Sequence, residues 1–194
     1  QIYGTPLPGS ITGTVTTGEL DEPVADAMVE LHRAEDPEIY MSMMSGPDGD
    51  YEFLGVPPGF YDMYFSHDEY VPDMVTSIEV TSEMNTTVDF DMVPRGWIEG
   101  TVFGWEDGET EVEGAMVYLH ESGGEEPIAE VTTGADGMYV FPFLMDGFYD
   151  IYAMHPDHDP SSYLGVEVVQ NTATVQDVML DLINTFGLMA GYVY

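Results

Sequence analysis

Gly46-Pro-Asp-Gly-Asp-Tyr-Glu-Phe-Leu-Gly-Val-Pro-Pro-Gly-Phe-Tyr-Asp-Met-Tyr-Phe65 is the stretch that decides the fold. It reads as two short strands with a turn at each joint. Pro47 presets φ, Asp48 offers a local acceptor, and Gly49 tolerates positive φ. Tyr51 and Phe53 alternate with Asp50 and Glu52, as a half-buried strand requires. Pro57-Pro58-Gly59 breaks the run, and Tyr61, Met63 and Phe65 resume the two-residue period. The block returns as Gly134 to Ala153: Asp48-Gly49 matches Asp136-Gly137, and Gly59-Phe60-Tyr61-Asp62 matches Gly147-Phe148-Tyr149-Asp150. The spacing is 136 − 48 = 88 residues both times, long enough to be a repeated domain.

The 194 residues therefore divide into two domains of about 90. Apolar content of 44 % supplies ordinary cores, and the absence of cysteine excludes disulfide and thiolate chemistry. No apolar run approaches the roughly 18 residues of a membrane helix. The charge is extreme: 37 acids face only Arg33 and Arg95, for a formal net charge of −35. Nothing could neutralise phosphates, so nucleic acid and anionic membranes are excluded as partners. A chain opening on Gln1 is expected to have lost a signal peptide, which points to a secreted, extracellular or cell-surface protein.

The first charged residue is Glu19 and the last is Asp181, so both ends are blank. Such ends read as segments meant to be covered. Residues 1–9 form an apolar leader whose two prolines keep it out of a central strand. Repeat 1 spans residues 10–94: Ile11–Val15, Ala27–Leu31, Ile39–Met44, the two strands of the opening block, Val75–Val80 and Asn85–Met92. Asp21-Glu22-Pro23 reads as a turn. After the short linker Pro94-Arg95-Gly96, which suggests a semi-rigid rod, repeat 2 spans 97–183 with the same sequence of strands. Turn signals every 8–12 residues without helical periodicity predict two tandem seven-stranded antiparallel β-sandwiches, an all-β chain.

These motifs resemble the carboxypeptidase regulatory-like domain, over about residues 10–183. Repeat 1 carries the pattern in Ile11, Gly13, Val15, Ala27, Val29, Leu31, Asp48, Gly49, Tyr51, Phe53, Pro58, Gly59 and Tyr61; repeat 2 puts Asp146 in place of Pro58. The resemblance implies an Ig-like, transthyretin-like sandwich related to Cna-B repeats, and an accessory, structural or binding role outside the cell. Some Cna-B pilins are locked by Lys–Asn isopeptide bonds and joined by sortase through lysine. This chain has no lysine, so polymerisation would be non-covalent.

Met189-Ala-Gly-Tyr-Val193 repeats the pattern of Ile11-Thr-Gly-Thr-Val15. Residues 184–194 thus read as an extra C-terminal strand, the first of a third repeat. Three readings stand: the natural chain continues, the strand is donated to a second copy, or it packs on repeat 2. Donation would place Phe186, Leu188, Met189, Ala190, Tyr192, Val193 and Tyr194 in a subunit interface, with Ile2, Tyr3 and Leu7 of the leader as its other half. The expected function is a structural subunit of an extracellular fibre or pilus-like homopolymer. The alternative is an adhesion or carbohydrate-binding module of a longer multidomain protein.

No catalytic signature is present, and an enzyme is not expected. No cofactor is required. Calcium or another cation could be ligated by Asp48, Asp50, Asp136, Asp157 and Asp159, against the plainer reading of turn-forming residues. His155-Pro-Asp-His-Asp159 is the densest ligand-like cluster, in an expected loop. Asn85-Thr-Thr87 is the one glycosylation sequon. Phe60, Tyr64, Phe148 and Tyr152 should face away from the core, as interface anchors or sugar platforms.

Overall fold

Alternation and turn chemistry build strands throughout: among the described residues there is no helix. The structure, a computed structural model, describes residues 6–18, 20–104 and 110–183. The chain divides between Pro94 and Arg95 into two units.

In the first unit, strands β1 (Gly9–Thr17), β2 (Glu22–Pro23), β5 (Asp50–Val56), β8 (Asn85–Thr87) and β9 (Phe90–Asp91) form one sheet, with β1 at its centre. Strands β3 (Met28–Arg33), β4 (Ile39–Met44), β6 (Gly59–Ser66) and β7 (Asp73–Val80) form the other, in the order β4-β3-β6-β7. Ile11, Val15, Tyr51 and Phe53 of the first sheet meet Val29, Leu31, Met63 and Phe65 of the second in one core. Burying each of the larger aliphatic side chains stabilises the unit by about 1.5–3 kcal/mol at most.

The second unit repeats the plan. Its sheets are β11 (Thr110–Glu111), β10 (Gly96–Gly104), β14 (Met138–Leu144), β17 (Ala173–Val175) and β18 (Val178–Leu180), then β13 (Ala129–Thr132), β12 (Met116–Glu121), β15 (Gly147–His155) and β16 (His158–Val168). Ile98, Val102, Leu119, Tyr139, Phe141 and Ile151 anchor its core. Pro142 sits in β14, an edge strand, where a missing N–H leaves no ladder bond unmade.

The opening block folds as its turn chemistry requires. Gly49 N–H donates to the Gly46 carbonyl at 2.9 Å, and Gly137 N–H to Gly134 at 2.9 Å. Gly49 has φ +76° and stands so close to the Val15 carbonyl that a Cβ would lie 2.3 Å from it. Three expectations change. Glu22–Pro23 is not only a turn, because it pairs with Thr16 and Thr17 of β1. The closing strand of each unit is split in two, β8 and β9 in the first and β17 and β18 in the second. The segment from His155 to Asp159 is not an open loop: β15 runs to His155, β16 starts at His158, and the two residues face each other in a tight hairpin.

Candidate functional site

The split closing strand lies beside β1, and it runs parallel to it. Ser10, Ile11 and Thr12 pair with Asn85, Thr86 and Thr87, then Val15 and Thr16 with Phe90 and Asp91. In the second unit, Trp97 to Glu99 pair with Ala173 to Val175, and Val102 to Gly104 with Val178 to Leu180, again parallel. The first and last strands of each unit therefore share one seam, an exception to the antiparallel pattern.

Three kinds of contact hold that seam. Main-chain bonds cross it: Ser10 N to Met84 O at 3.0 Å, Val88 N to Thr12 O at 2.9 Å, and Met92 N to Thr16 O at 2.7 Å. Where β8 gives way to β9, the Asp89 carboxylate replaces a backbone acceptor and takes Thr14 N–H and Thr14 Oγ1 at 3.0 Å each. Asp177 takes Thr101 N–H at 2.9 Å in the same way. A phenol then reaches across from the neighbouring strand: Tyr51 donates to the Val88 carbonyl, and Tyr139 to the Gln176 carbonyl. Burial first, then the nearby carboxylates of Asp89 and Asp177, pushes both phenols far above their usual ionisation range, so both stay protonated donors. The break needs a glycine opposite it. A Cβ on Gly13 would lie 1.8 Å from the Val88 carbonyl oxygen, and one on Gly100 2.0 Å from that of Gln176.

Two further clasps repeat in both units. Ser45 Oγ accepts Ala27 N–H at 2.9 Å and donates to Val24 O at 2.7 Å, and Thr133 Oγ1 does the same for Ala115 and Val112 at 2.9 and 2.6 Å. The aspartate ending Gly-Phe-Tyr-Asp pins a bulge in the next strand. Asp62 accepts Ser77 N–H at 2.9 Å, and Asp150 accepts Gly165 N–H at 2.8 Å and Gly123 N–H at 3.0 Å. Ser77 and Gly165 have φ of 62° and 71°, the left-handed region of a bulge. The backbone donors from Gly123 and Gly165 hold the buried Asp150 carboxyl below its usual value. Sequence reasoning read Tyr51, Asp62 and their copies as core and strand fillers. Their identity at an 88-residue spacing was the signal available.

The other sequence-derived candidates are scattered. Asp48, Asp50 and Asp136 are exposed around the Asp-Gly turns, where Asp136 accepts the Met138 N–H at 3.2 Å. Asp157 and Asp159 are exposed and bonded through their main chains to Ile183 and Asp181. Among the described residues, no group of three or more His, Cys, Asp or Glu converges as a metal cage. Asn85 is exposed and has a structural use: its amide donates one Nδ2 hydrogen to Thr12 Oγ1 and accepts from Ser10 Oγ, both at 2.8 Å. Leu7 is exposed, while its carbonyl accepts Ser82 Oγ at 2.8 Å. Ile2, Tyr3, Phe186, Leu188, Met189, Ala190, Tyr192, Val193 and Tyr194 lie outside the described residues. Phe60, Tyr64, Phe148 and Tyr152 do face outward, with Phe60 and Phe148 each 57 % exposed.

Comparison with known proteins agrees with this architecture. Residues 10–93 match the model of the carboxypeptidase regulatory-like domain. Residues 96–181 match that of the second β-sandwich domain of NOMO1-like BOS complex subunits. Colossin-A of Dictyostelium discoideum is 30 % identical over 167 residues, 70 % of this chain. The chain spans only 2 % of the length of that relative. Among solved structures, the minor pilin GBS52 of Streptococcus agalactiae superposes with a TM-score of 0.52 at 11 % identity, over 94 % of this chain and all of that one. The shaft pilin SpaA of Lactobacillus rhamnosus GG gives 0.53 at 9 % identity, over 95 % of this chain and all of that one. At such identities the likeness is one of fold. The chain is thus a tandem of two β-sandwich domains, the first matching the carboxypeptidase regulatory-like domain and the second the NOMO1-like β-sandwich domain.

Proposed function

We propose that this protein is a structural subunit of an extracellular, pilin-like fibre, whose two sandwiches carry tension from one end of the chain to the other. The parallel seam between first and last strands supports this reading most directly. Tension applied through the ends of a unit pulls the start of β1 and the end of the closing strand in opposite directions. In a parallel pair those points lie at opposite ends of the seam, so its bonds lie across the pull and share the load at once. A hairpin pulled at its open end loses its bonds one at a time. The seam is also reinforced in both units, by a carboxylate, a phenol and a glycine at matching positions. The folds of a shaft and a minor pilin are consistent with the same use.

Force spectroscopy tests the proposal. A unit pulled through its terminal strands should resist several-fold more force than the same unit pulled through Gly59 and Val80, the open end of the β6–β7 hairpin. Equal forces in the two geometries would remove the mechanical argument. Assembly by donation of residues 184–194 to a second copy rests on their strand-like, uncharged sequence. Deleting them should leave folded monomers, and fibres formed by the truncated chain would rule donation out.

A second reading has its own support. The match to 2 % of a very long relative fits an adhesion module within a multidomain array, and the outward aromatic rows offer it a contact surface.

A further inference from the structure

We propose that His155 and His158 form a two-imidazole site for a borderline divalent transition ion, with Cu(II) the best fit. The hairpin between β15 and β16 pairs these residues across the turn. It brings their Nδ1 atoms to 3.0 Å, with ring centroids 4.9 Å apart and planes at 70°. Two nitrogens bound at right angles to a metal at about 2.0–2.1 Å lie about 2.9 Å apart, so the pair already has the separation of adjacent ligands. Tetragonal nitrogen and oxygen sites suit Cu(II), which also binds most tightly of the first-row divalent ions.

Protonation fits as well. Asp157 N–H donates to His155 Nδ1 at 3.2 Å, so that nitrogen carries a lone pair, and the proton between the rings sits on His158 Nδ1. A bound ion takes the place of that bridging proton, and His158 passes to its Nε2–H tautomer, so the ring stays neutral and Nδ1 is freed as a ligand. Beside the pair opens a cavity of about 310 Å³, lined by His155, His158, Gly104, Glu111, Glu113 and Leu182. It has room for the waters that complete the coordination. No third side chain is in place among the described residues.

The first unit supplies a built-in control. At the same 88-residue spacing it has His67 and Tyr70 (155 − 67 and 158 − 70). Their rings meet at 5.2 Å and 66°, and Glu69 N–H donates to His67 Nδ1 at 3.1 Å. The turn is alike, with Tyr70 N–H donating to the His67 carbonyl at 3.3 Å, but the β6–β7 ladder ends earlier, at Phe65 and Asp73, and a phenol ring replaces the second imidazole. Only the second unit presents two nitrogens.

The test is a titration of the full chain with Cu(II), in excess Ca²⁺ to occupy the many carboxylates, followed by calorimetry and by electron paramagnetic resonance. The expected result is one high-affinity ion per chain with nitrogen hyperfine structure. His158→Tyr, which copies the arrangement of the first unit, should weaken that ion at least tenfold. His155→Gln should do the same, and His67→Ala should change nothing. Both hairpin variants are run, so a folding defect in one does not decide the outcome. The proposal is overturned if no nitrogen-bearing ion is found, if either hairpin variant keeps it, or if His67→Ala removes it.

Discussion

Replacing Tyr51 by Phe removes one oxygen from the seam and leaves the ring where it is. The ring is held by packing: Tyr51 is 3 % exposed and meets Phe53 and Phe65 edge-on at 6.1 and 6.0 Å. What is lost is the bond to the Val88 carbonyl, at the break between β8 and β9 where the regular ladder is interrupted. Leaving such an acceptor unpaired in a part-buried place costs about 1–3 kcal/mol. For a domain of this size, each kcal/mol moves the melting temperature by about 4–8 °C. Tyr139→Phe should do the same to the second unit through Gln176. The tryptophans make the two effects separable. Both Trp97 and Trp105 belong to the second repeat, so tryptophan fluorescence reports on that unit while far-ultraviolet dichroism reports on both. In urea, Tyr51→Phe should shift part of the dichroism transition and leave the fluorescence transition in place. Tyr139→Phe should shift the fluorescence transition. A change below about 0.5 kcal/mol, the range of an ordinary surface substitution, would mean that the phenol only fills space and that the seam argument is wrong.

Phe143→Gly should stabilise the second unit by roughly 0.5–1.5 kcal/mol, read by tryptophan fluorescence in urea. Phe143 is 47 % exposed and sits at φ 56°, a conformation that costs a bulky residue about 1 kcal/mol or more, and Gly55 occupies the equivalent place in the first unit at φ 72°. Loss of stability would show that the phenyl ring packs well enough to offset that strain. The second unit should also weaken in acid through Asp150. Its carboxyl is held below 3.8 in the folded state, so its contribution is complete above about pH 4 and disappears as pH falls through the lowered value. Asp150→Asn should be less stable at neutral pH and lose that part of the acid dependence, and an unchanged acid profile would contradict the assigned bonds.

The sequence alone determined what local chemistry controls. The Asp-Gly turns, the inward Tyr-x-Phe alternation, the outward row of Phe60 and Tyr64 and the 88-residue frame all depend on a residue and its near neighbours. Steric limits on φ and the two-residue strand period act at that range, so those features were legible. Only the tertiary structure decided the rest. The parallel seam joins residues about 75 positions apart, such as Ser10 and Asn85. The Tyr51 phenol reaches a carbonyl 37 residues away. Asp62 and Asp150 look like ordinary outward strand residues until the bulge they pin is placed beside them. The two histidines are three residues apart in the sequence, yet whether they meet depends on hairpin register, which the whole β15–β16 ladder sets. In each case the deciding contact is fixed by which strands lie side by side and in what register, and a pattern of neighbours in the chain holds no record of that pairing.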